Sequence, residues 1–295
     1  MNDYISCSFY RGPEFLISDR LSLNGRVYNL EDELLGRGGN GLVYKCSDAV
    51  SGDEYAIKIV NTFYENVRTR FDRECKNLQA CSGHSNIINI YGFGELSAKR
   101  RLPRSRKYID DKLRWCLMEL AEDGNLSAHL ARSDSISFSE YSAHIRGLAS
   151  ALEYLHDKNI LHRDIKPENI LISGEKWLLS DFGLTAPIDR SGEDLTEIDD
   201  KIGPRFWMSP EATNKALGCS GENSDICTQS DVFQLASVIW FVINNAHPLG
   251  VIEEEDYKGK KEIYDVLYSS LKHNPEQRPA NGKVFHEKIA TAIEA

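Results

Sequence analysis

The sequence has no CxxC pair, no apolar run long enough to cross a bilayer, no internal repeat, no low-complexity tract and no surplus of positive charge. Each absence removes a class. Its seven cysteines, Cys7, Cys46, Cys75, Cys81, Cys116, Cys219 and Cys227, are scattered over 295 residues. An odd number cannot close into a complete set of intramolecular disulfides, so a reducing cytoplasm is the expected home. The most apolar stretch, Leu235 to Ile243, is about half of the ~20 residues a membrane helix needs and is expected to be a buried core helix. The opening MNDYISCSFYRGPEF lacks a basic region followed by a long apolar core, so no secretory signal is expected. No self-similarity recurs at periods of roughly 20–50 residues, which excludes solenoids and propellers. A net charge of −10 and a pI near 5.4 argue against nucleic-acid binding, because phosphate contacts need an excess of Lys and Arg.

What remains is an ordinary globular composition, with 41% apolar and 27% charged residues, that changes character along the chain. The first part holds short β-like runs: RVYNLEDELLG, GLVYKCSD, EYAIKIV, IINIYGFGE and RWCLMEL. Between the third and fourth, Val67, Phe71, Cys75 and Leu78 recur at steps of three and four residues, which predicts a helix from about Asn66 to Ala80. After Gly124 helical patterns take over, at Ser139–Asp157, Ser230–Asn244, Glu262–His273 and Gly282–Ile293. The expected class is α+β, with a β-rich first lobe carrying one main helix and an α-rich second lobe. The basic segment KRRLPRSRK, residues 99–107, falls between two predicted strands. It reads either as a solvated hairpin loop or as a docking patch for an acidic partner.

Leu35 to Val43, LGRGGNGLV, sets Gly36, Gly38 and Gly41 as GxGxxG. Glycine lets the backbone approach a phosphate and aim its N–H groups at the oxygens. Alone, the pattern fits a flexible hairpin equally well, and before a helix it would suggest dinucleotide binding. Here a strand continues through Val43 and Tyr44, and the next ends in AIK with Lys58. A lysine within an apolar strand needs an anionic partner; Glu74 on the following helix is the candidate, although in isolation it reads equally as a surface residue.

HRDIKPENIL, residues 162–171, resembles the catalytic loop of the protein kinase family, and SDFGL, residues 180–184, resembles its magnesium loop. With the glycine-rich loop and AIK these form that family's ordered signature set, and the resemblance runs from about Tyr28 to Ile293. It implies a two-lobed kinase fold with a single catalytic domain over 28–293: an N-terminal extension over 1–27, an N-lobe over 28–121 and a C-lobe over 122–295. It further implies ATP and Mg²⁺ as cofactors, with Asp164 and Lys166 catalytic and Asn169 and Asp181 holding the metal. Leu35, Gly36, Arg37, Gly38, Gly39, Asn40, Gly41, Leu42, Val43, Ala56, Lys58, Glu74 and Leu171 would surround ATP. So would Met118, as gatekeeper, with Glu119 and Ala121 of the hinge. Leu78, Ile90, His162 and Phe182 match the family's internal apolar stack, and Glu211 with Arg278 its buried ion pair.

Lys166, two residues after Asp164, resembles the serine/threonine branch and implies protein substrates; the acidic balance and the lack of a long apolar run leave neither nucleic acid nor membrane as an expected partner. The opening of the domain resembles bacterial members. Two departures stand out. Pro204 occupies the place of a threonine that normally bonds to the catalytic Asp and Lys, and it offers neither hydroxyl nor N–H. The stretch from Pro248 to Asn274 has room for one helix where typical members have two. Ser191 and Thr196 are candidate phosphorylation sites because Arg163, beside Asp164, is in such kinases often neutralised by phosphate, with Arg70 as a second cation. Glu193, Asp194, Glu197, Asp199 and Asp200 offer carboxylates as the alternative. The rival functions are an ATP-responsive pseudokinase scaffold and a small-molecule kinase.

Overall fold

A computed structural model describes residues 4–9, 12–38, 41–61, 64–103, 107–132, 137–187, 206–218 and 225–295. The chain divides into two compact units, Met1–Ser82 with Ile88–Ala121, and Gly83–Ile87 with Glu122–Ala295.

Alternation of apolar and polar residues builds the first unit. Its strands are β1 (Tyr4–Ser8), β2 (Glu14–Ser18), β3 (Arg20–Leu23), β4 (Arg26–Arg37), β5 (Gly41–Asp48), β6 (Glu54–Val60), β7 (Ile90–Arg101) and β8 (Tyr108–Met118), with helix α1 (Glu65–Ala80) between β6 and β7. They form one eight-stranded sheet in the order β1-β2-β7-β8-β6-β5-β4-β3. Every pairing is antiparallel. Ile5, Cys7, Phe15, Ile17, Leu21 and Leu23 of the first three strands share one apolar core with Tyr44, Ile57, Leu113 and Trp115. Residues before Tyr28, expected as an extension, are thus strands of the same sheet. Helix α1 buries Phe71, Glu74, Cys75 and Leu78, three of the four residues of the predicted stripe with one carboxylate added; the fourth, Val67, is half-buried.

The basic segment differs from the loop expected. The β7–β8 ladder runs on to the pair Arg101↔Tyr108, so residues 99–101 are strand. Two of the three charges have carboxylate partners within the chain: Arg100 pairs with Asp111 at 2.5 Å and Arg101 with Glu14 at 2.8 Å. Acidic residues on neighbouring strands, remote or unremarkable in sequence, supply the complement.

The second unit contains α2 (Leu126–Leu130), α3 (Phe138–Asp157), β9 (Ile160–Leu161), β10 (Ile170–Ser173), β11 (Lys176–Leu179), β12 (Ala186–Pro187), α4 (Pro210–Ala216), α5 (Thr228–Asn244), α6 (Lys261–Ser270) and α7 (Gly282–Glu294). Helix α3 opens on a capping box in which Ser137 and Glu140 satisfy each other's backbone N–H groups. Helix α5 is buried nearly all round, at twelve positions that include the apolar Val232, Leu235, Val238 and Ile239. That is the pattern of a helix enclosed by protein. Helix α7 meets α3 at Gly282, where a Cβ would stand 2.6 Å from the main-chain nitrogen of Glu153; only glycine permits that approach. Between Pro248 and Asn274 the one α-helix is α6, preceded by a short 3-10 turn at Glu254–Asp256, as the spacing predicts. Among the described residues no helix is long and apolar enough to cross a membrane.

Candidate active site

In the first unit β4 and β5 form the glycine-rich hairpin, closed by the Gly38 N–H donating to the Gly41 carbonyl at 2.9 Å. Gly36, Gly38 and Gly41 are all absent from the positive-φ residues. Backbone conformation therefore does not demand glycine here, which leaves close approach of another group as its physical reason. Leu35 is 49% exposed and Leu42 is buried at 1%, so these neighbours in the motif serve opposite faces. Gly39 and Asn40 lie outside the described residues.

Lys58 and Glu74 meet as predicted, with Nζ donating to Oε1 at 2.6 Å. Their side chains are 21% and 11% exposed, enough desolvation for the pair to hold its geometry. Val43 is opposite Lys58 in the β5–β6 ladder, and Ala56 is opposite Met118 in the β6–β8 ladder. Glu119 follows with its N–H donating to the Asn89 carbonyl at 2.9 Å and its Oε2 accepting from Asn89 Nδ2 at 2.9 Å. Glu119 and Ala121 are both half-buried.

In the second unit Asp164 is buried at 7% exposure. Its Oδ2 accepts from Lys166 Nζ at 2.8 Å and from Asn169 Nδ2 at 2.8 Å, and the same Asn169 nitrogen donates to the Asp164 main-chain carbonyl at 2.9 Å. Its Oδ1 is buried and has no hydrogen-bond partner among the described residues. Burial pushes the Asp164 carboxyl up; Lys166 opposes the shift and the charge of Asp181 adds to it. The result is a carboxylate aimed by one oxygen, with the other bare. Asn169 spends its amide nitrogen on Asp164, which leaves its carbonyl oxygen to face elsewhere. Asp181 is exposed, adopts a left-handed φ of 59° and accepts from the Gly183 N–H at 3.3 Å. Leu171 in β10 is half-buried opposite Leu178. His162 and Phe182 pack with ring centroids 5.0 Å apart.

The loop is held from behind by α5. Asp231, in the first turn of α5 where a carboxylate suits the helix dipole, is fully buried and accepts three hydrogen bonds. Two come from the main-chain nitrogens of His162 and Arg163, each at 2.8 Å, and one from His156 Nε2 at 3.0 Å. His156 Nδ1 accepts from the Gly282 N–H at 2.8 Å, so its proton is on Nε2 and points at Asp231. These donors hold the Asp231 carboxyl below the usual aspartate range despite burial. Gln234 completes the clamp, accepting from the Ile165 N–H and donating to the Arg163 carbonyl, both at 3.1 Å. Arg163 itself has φ 69°, a strained conformation for a non-glycine residue that needs such support. Glu211 and Arg278 form a bidentate pair at 2.8 and 3.0 Å. Ser230 adds a third bond to Glu211 at 2.6 Å.

The His156, Asp231 and Gln234 clamp was missed from sequence; its only local signal is Asp231 and Gln234 as polar residues in the helix that carries the most apolar stretch of the chain. Ser191, Thr196 and Pro204 lie outside the described residues.

The family model of the protein kinase domain matches residues 29–291. This chain belongs to the protein kinase family. Among its relatives, MAP kinase-interacting serine/threonine-protein kinase 2 of Xenopus laevis is 29% identical over 77% of the chain and 47% of that protein. The nematode MAP kinase-interacting serine/threonine-protein kinase mnk-1 of Caenorhabditis elegans is 27% identical over 78% of the chain and 32% of that protein. A bacterial relative, named Probable serine/threonine-protein kinase PknB, of Bifidobacterium longum (strain NCC 2705), is 29% identical over 77% of the chain and 31% of that protein. The chain thus spans about half or less of the length of these relatives.

Proposed function

We propose that this kinase transfers the γ-phosphate of ATP to a serine or threonine hydroxyl of another protein. The observation that carries the reading is the Asp164 carboxylate, fixed at Oδ2 by Lys166 and Asn169 and bare at Oδ1. A bare, oriented carboxylate suits an acceptor hydroxyl. The hydroxyl oxygen forms the new bond to the γ-phosphorus as the bond to the β-bridging oxygen breaks and ADP leaves; Asp164 takes the proton. Lys166 would then neutralise charge on the moving phosphoryl group, while Lys58, aligned by Glu74, would grip the α- and β-phosphates. Met118, Glu119, Ala121, Val43, Ala56 and Leu171 would receive the adenine.

Asn169 and Asp181 fit a magnesium site, because both offer hard oxygen ligands and Mg²⁺ is usually held by few protein groups beside phosphates. The ion would offset the charge of the phosphates. Lys166 and the names of the relatives support serine/threonine over tyrosine. Phosphorylation at Ser191 or Thr196, read by Arg163, belongs to this proposal, as do a protein substrate and a cytoplasmic location. The cysteines that the structure describes are free thiols, most of them buried, which suits a reducing compartment.

The test is phosphate transfer from radiolabelled ATP to generic protein acceptors. Asp164→Asn should lower transfer about 10²–10⁴-fold with ATP affinity nearly unchanged. A wild-type protein no more active than that variant across many acceptors would leave an ATP-responsive scaffold as the function. Turnover in a metabolite screen without protein acceptors would make it a small-molecule kinase.

A further inference from the structure

Arg37 stands between Gly36 and Gly38, and its place in the motif suggests a phosphate contact. Its guanidinium has another partner. Nη1 donates to the main-chain carbonyl of Ser8 at 2.6 Å, the last residue of β1. Among the described residues that strand is an edge of the sheet, paired with β2 alone, so its outward main-chain groups have no ladder there. Two more contacts join the same β1–β2 hairpin to the strands around the glycine-rich loop. Cys7 Sγ meets the Tyr44 hydroxyl of β5 at 3.4 Å, both buried. Gly12, in the β1–β2 turn with φ +119°, lies so near Asn61 after β6 that a Cβ would come within 2.5 Å of its Nδ2. Phe9 then seats the end of β1 edge-on against Phe15, with centroids 5.8 Å apart.

We propose that the β1–β2 hairpin is a brace for the glycine-rich loop, and that Arg37 is a positioning residue which ties the loop to Ser8 rather than a ligand of phosphate. The inference rests on the reading of the chain as an ATP-dependent phosphotransferase. A loop held in its binding shape loses less conformational freedom when ATP arrives, so the brace strengthens nucleotide binding and leaves the chemical step alone. Strands β1 and β2 thereby acquire a role in nucleotide binding that their distance in sequence from every motif conceals. A purely structural role would show in stability; Arg37 is exposed, and exposed substitutions shift stability little.

The experiment compares wild type, Arg37→Ala, Arg37→Lys, Phe9→Ala and the Arg37→Ala/Phe9→Ala double variant. It measures KM for ATP, KM for a protein acceptor, kcat, Tm and amide exchange over residues 36–44. Either single Ala variant should raise KM for ATP by roughly three- to tenfold, the loss expected for one charge-assisted hydrogen bond in a solvent-exposed setting. Acceptor KM and kcat should stay within about twofold, and exchange at the loop amides should quicken by a similar factor. Arg37→Lys should recover most of the effect, since an ammonium also reaches a carbonyl. The double variant should be no worse than the weaker single, because both changes break one tie. Additive losses would mean that Arg37 meets the phosphates directly and would overturn the proposal, as would unchanged loop exchange in folded variants. Tyr44→Phe, which removes only the hydroxyl that meets Cys7, replaces Phe9→Ala if that variant does not fold. A wild type without phosphotransfer would defeat the kinase reading alone, and the exchange data would still decide whether the brace exists.

Discussion

Replacing Asp231 by Asn tests whether the catalytic loop is held by α5. Oδ2 of Asp231 accepts from the His162 N–H and from His156 Nε2, and Oδ1 accepts from the Arg163 N–H. An asparagine can keep its oxygen on the first two donors, but its amide nitrogen then faces the Arg163 N–H, donor against donor. A buried donor left without an acceptor costs about 1–3 kcal/mol, and a bond to a charged acceptor is worth about 1.5–3 kcal/mol. The expected loss is therefore about 3 kcal/mol, or a Tm lowered by roughly 6–12 °C at about 2–4 °C per kcal/mol for a protein of this size. Activity should fall more than ATP affinity does, because the Arg163 backbone at φ 69° loses the bond that holds it beside Asp164. The sign with pH is also fixed. The folded-state pKa of Asp231 is depressed, so its stabilisation is complete above the unfolded value of about 3.9 and disappears as pH falls toward the folded value. The variant should accordingly lose less stability than wild type between neutral and strongly acid pH. Calorimetry across pH with a phosphotransfer assay gives both readings; an Asn variant with wild-type Tm and turnover would refute the clamp.

Lys58→Met should lower kcat by about 10²–10³-fold, the loss seen when one charged stabiliser of a transition state is removed, while ATP binding measured by calorimetry weakens by less than about tenfold. Near wild-type turnover would take Lys58 out of the site. Arg278→Lys should destabilise by roughly 2–3 kcal/mol, because an ammonium cannot reproduce the fork to Glu211 or the further bonds to the carbonyls of Lys272, His273 and Gln229; urea melts that overlay those of wild type would exclude that role. Lys166→Met should move the acid limb of the kcat profile to higher pH. Asp164 works ionised, its pKa already lies above the usual value, and the lysine is what draws it back; a limb that stays or moves to lower pH would contradict the assignment.

Sequence alone determined the parts whose cause is local. The helix containing Glu74 was legible because Phe71, Cys75 and Leu78 repeat at helical spacing, and it spans Glu65–Ala80 against an expected Asn66–Ala80. A lysine in an apolar strand called for an anionic partner and made Glu74 the candidate, and four ordered motifs gave the family and with it the Lys58–Glu74 pair. The single helix between Pro248 and Asn274 followed from the length of chain there. Tertiary structure alone decided the rest. The strands β1, β2 and β3 carry the alternation of half-buried strands, exposed and buried in turn over Tyr4–Ser8, yet five residues of period two do not say which sheet they join; β2 finds its partner in β7, some 85 positions on. Asp231 reads as a charge that suits any helix N-terminus, and only folding brings it to the backbone of His162, 69 residues away. The segment from Lys99 reads as a solvated loop because the carboxylates that neutralise Arg100 and Arg101, Asp111 and Glu14, lie on strands whose register the sequence does not fix. Periodicity and turn chemistry act over a few residues and leave a trace in the order of the chain. A hydrogen bond between distant segments leaves none, because its partner is chosen by the path of the whole backbone.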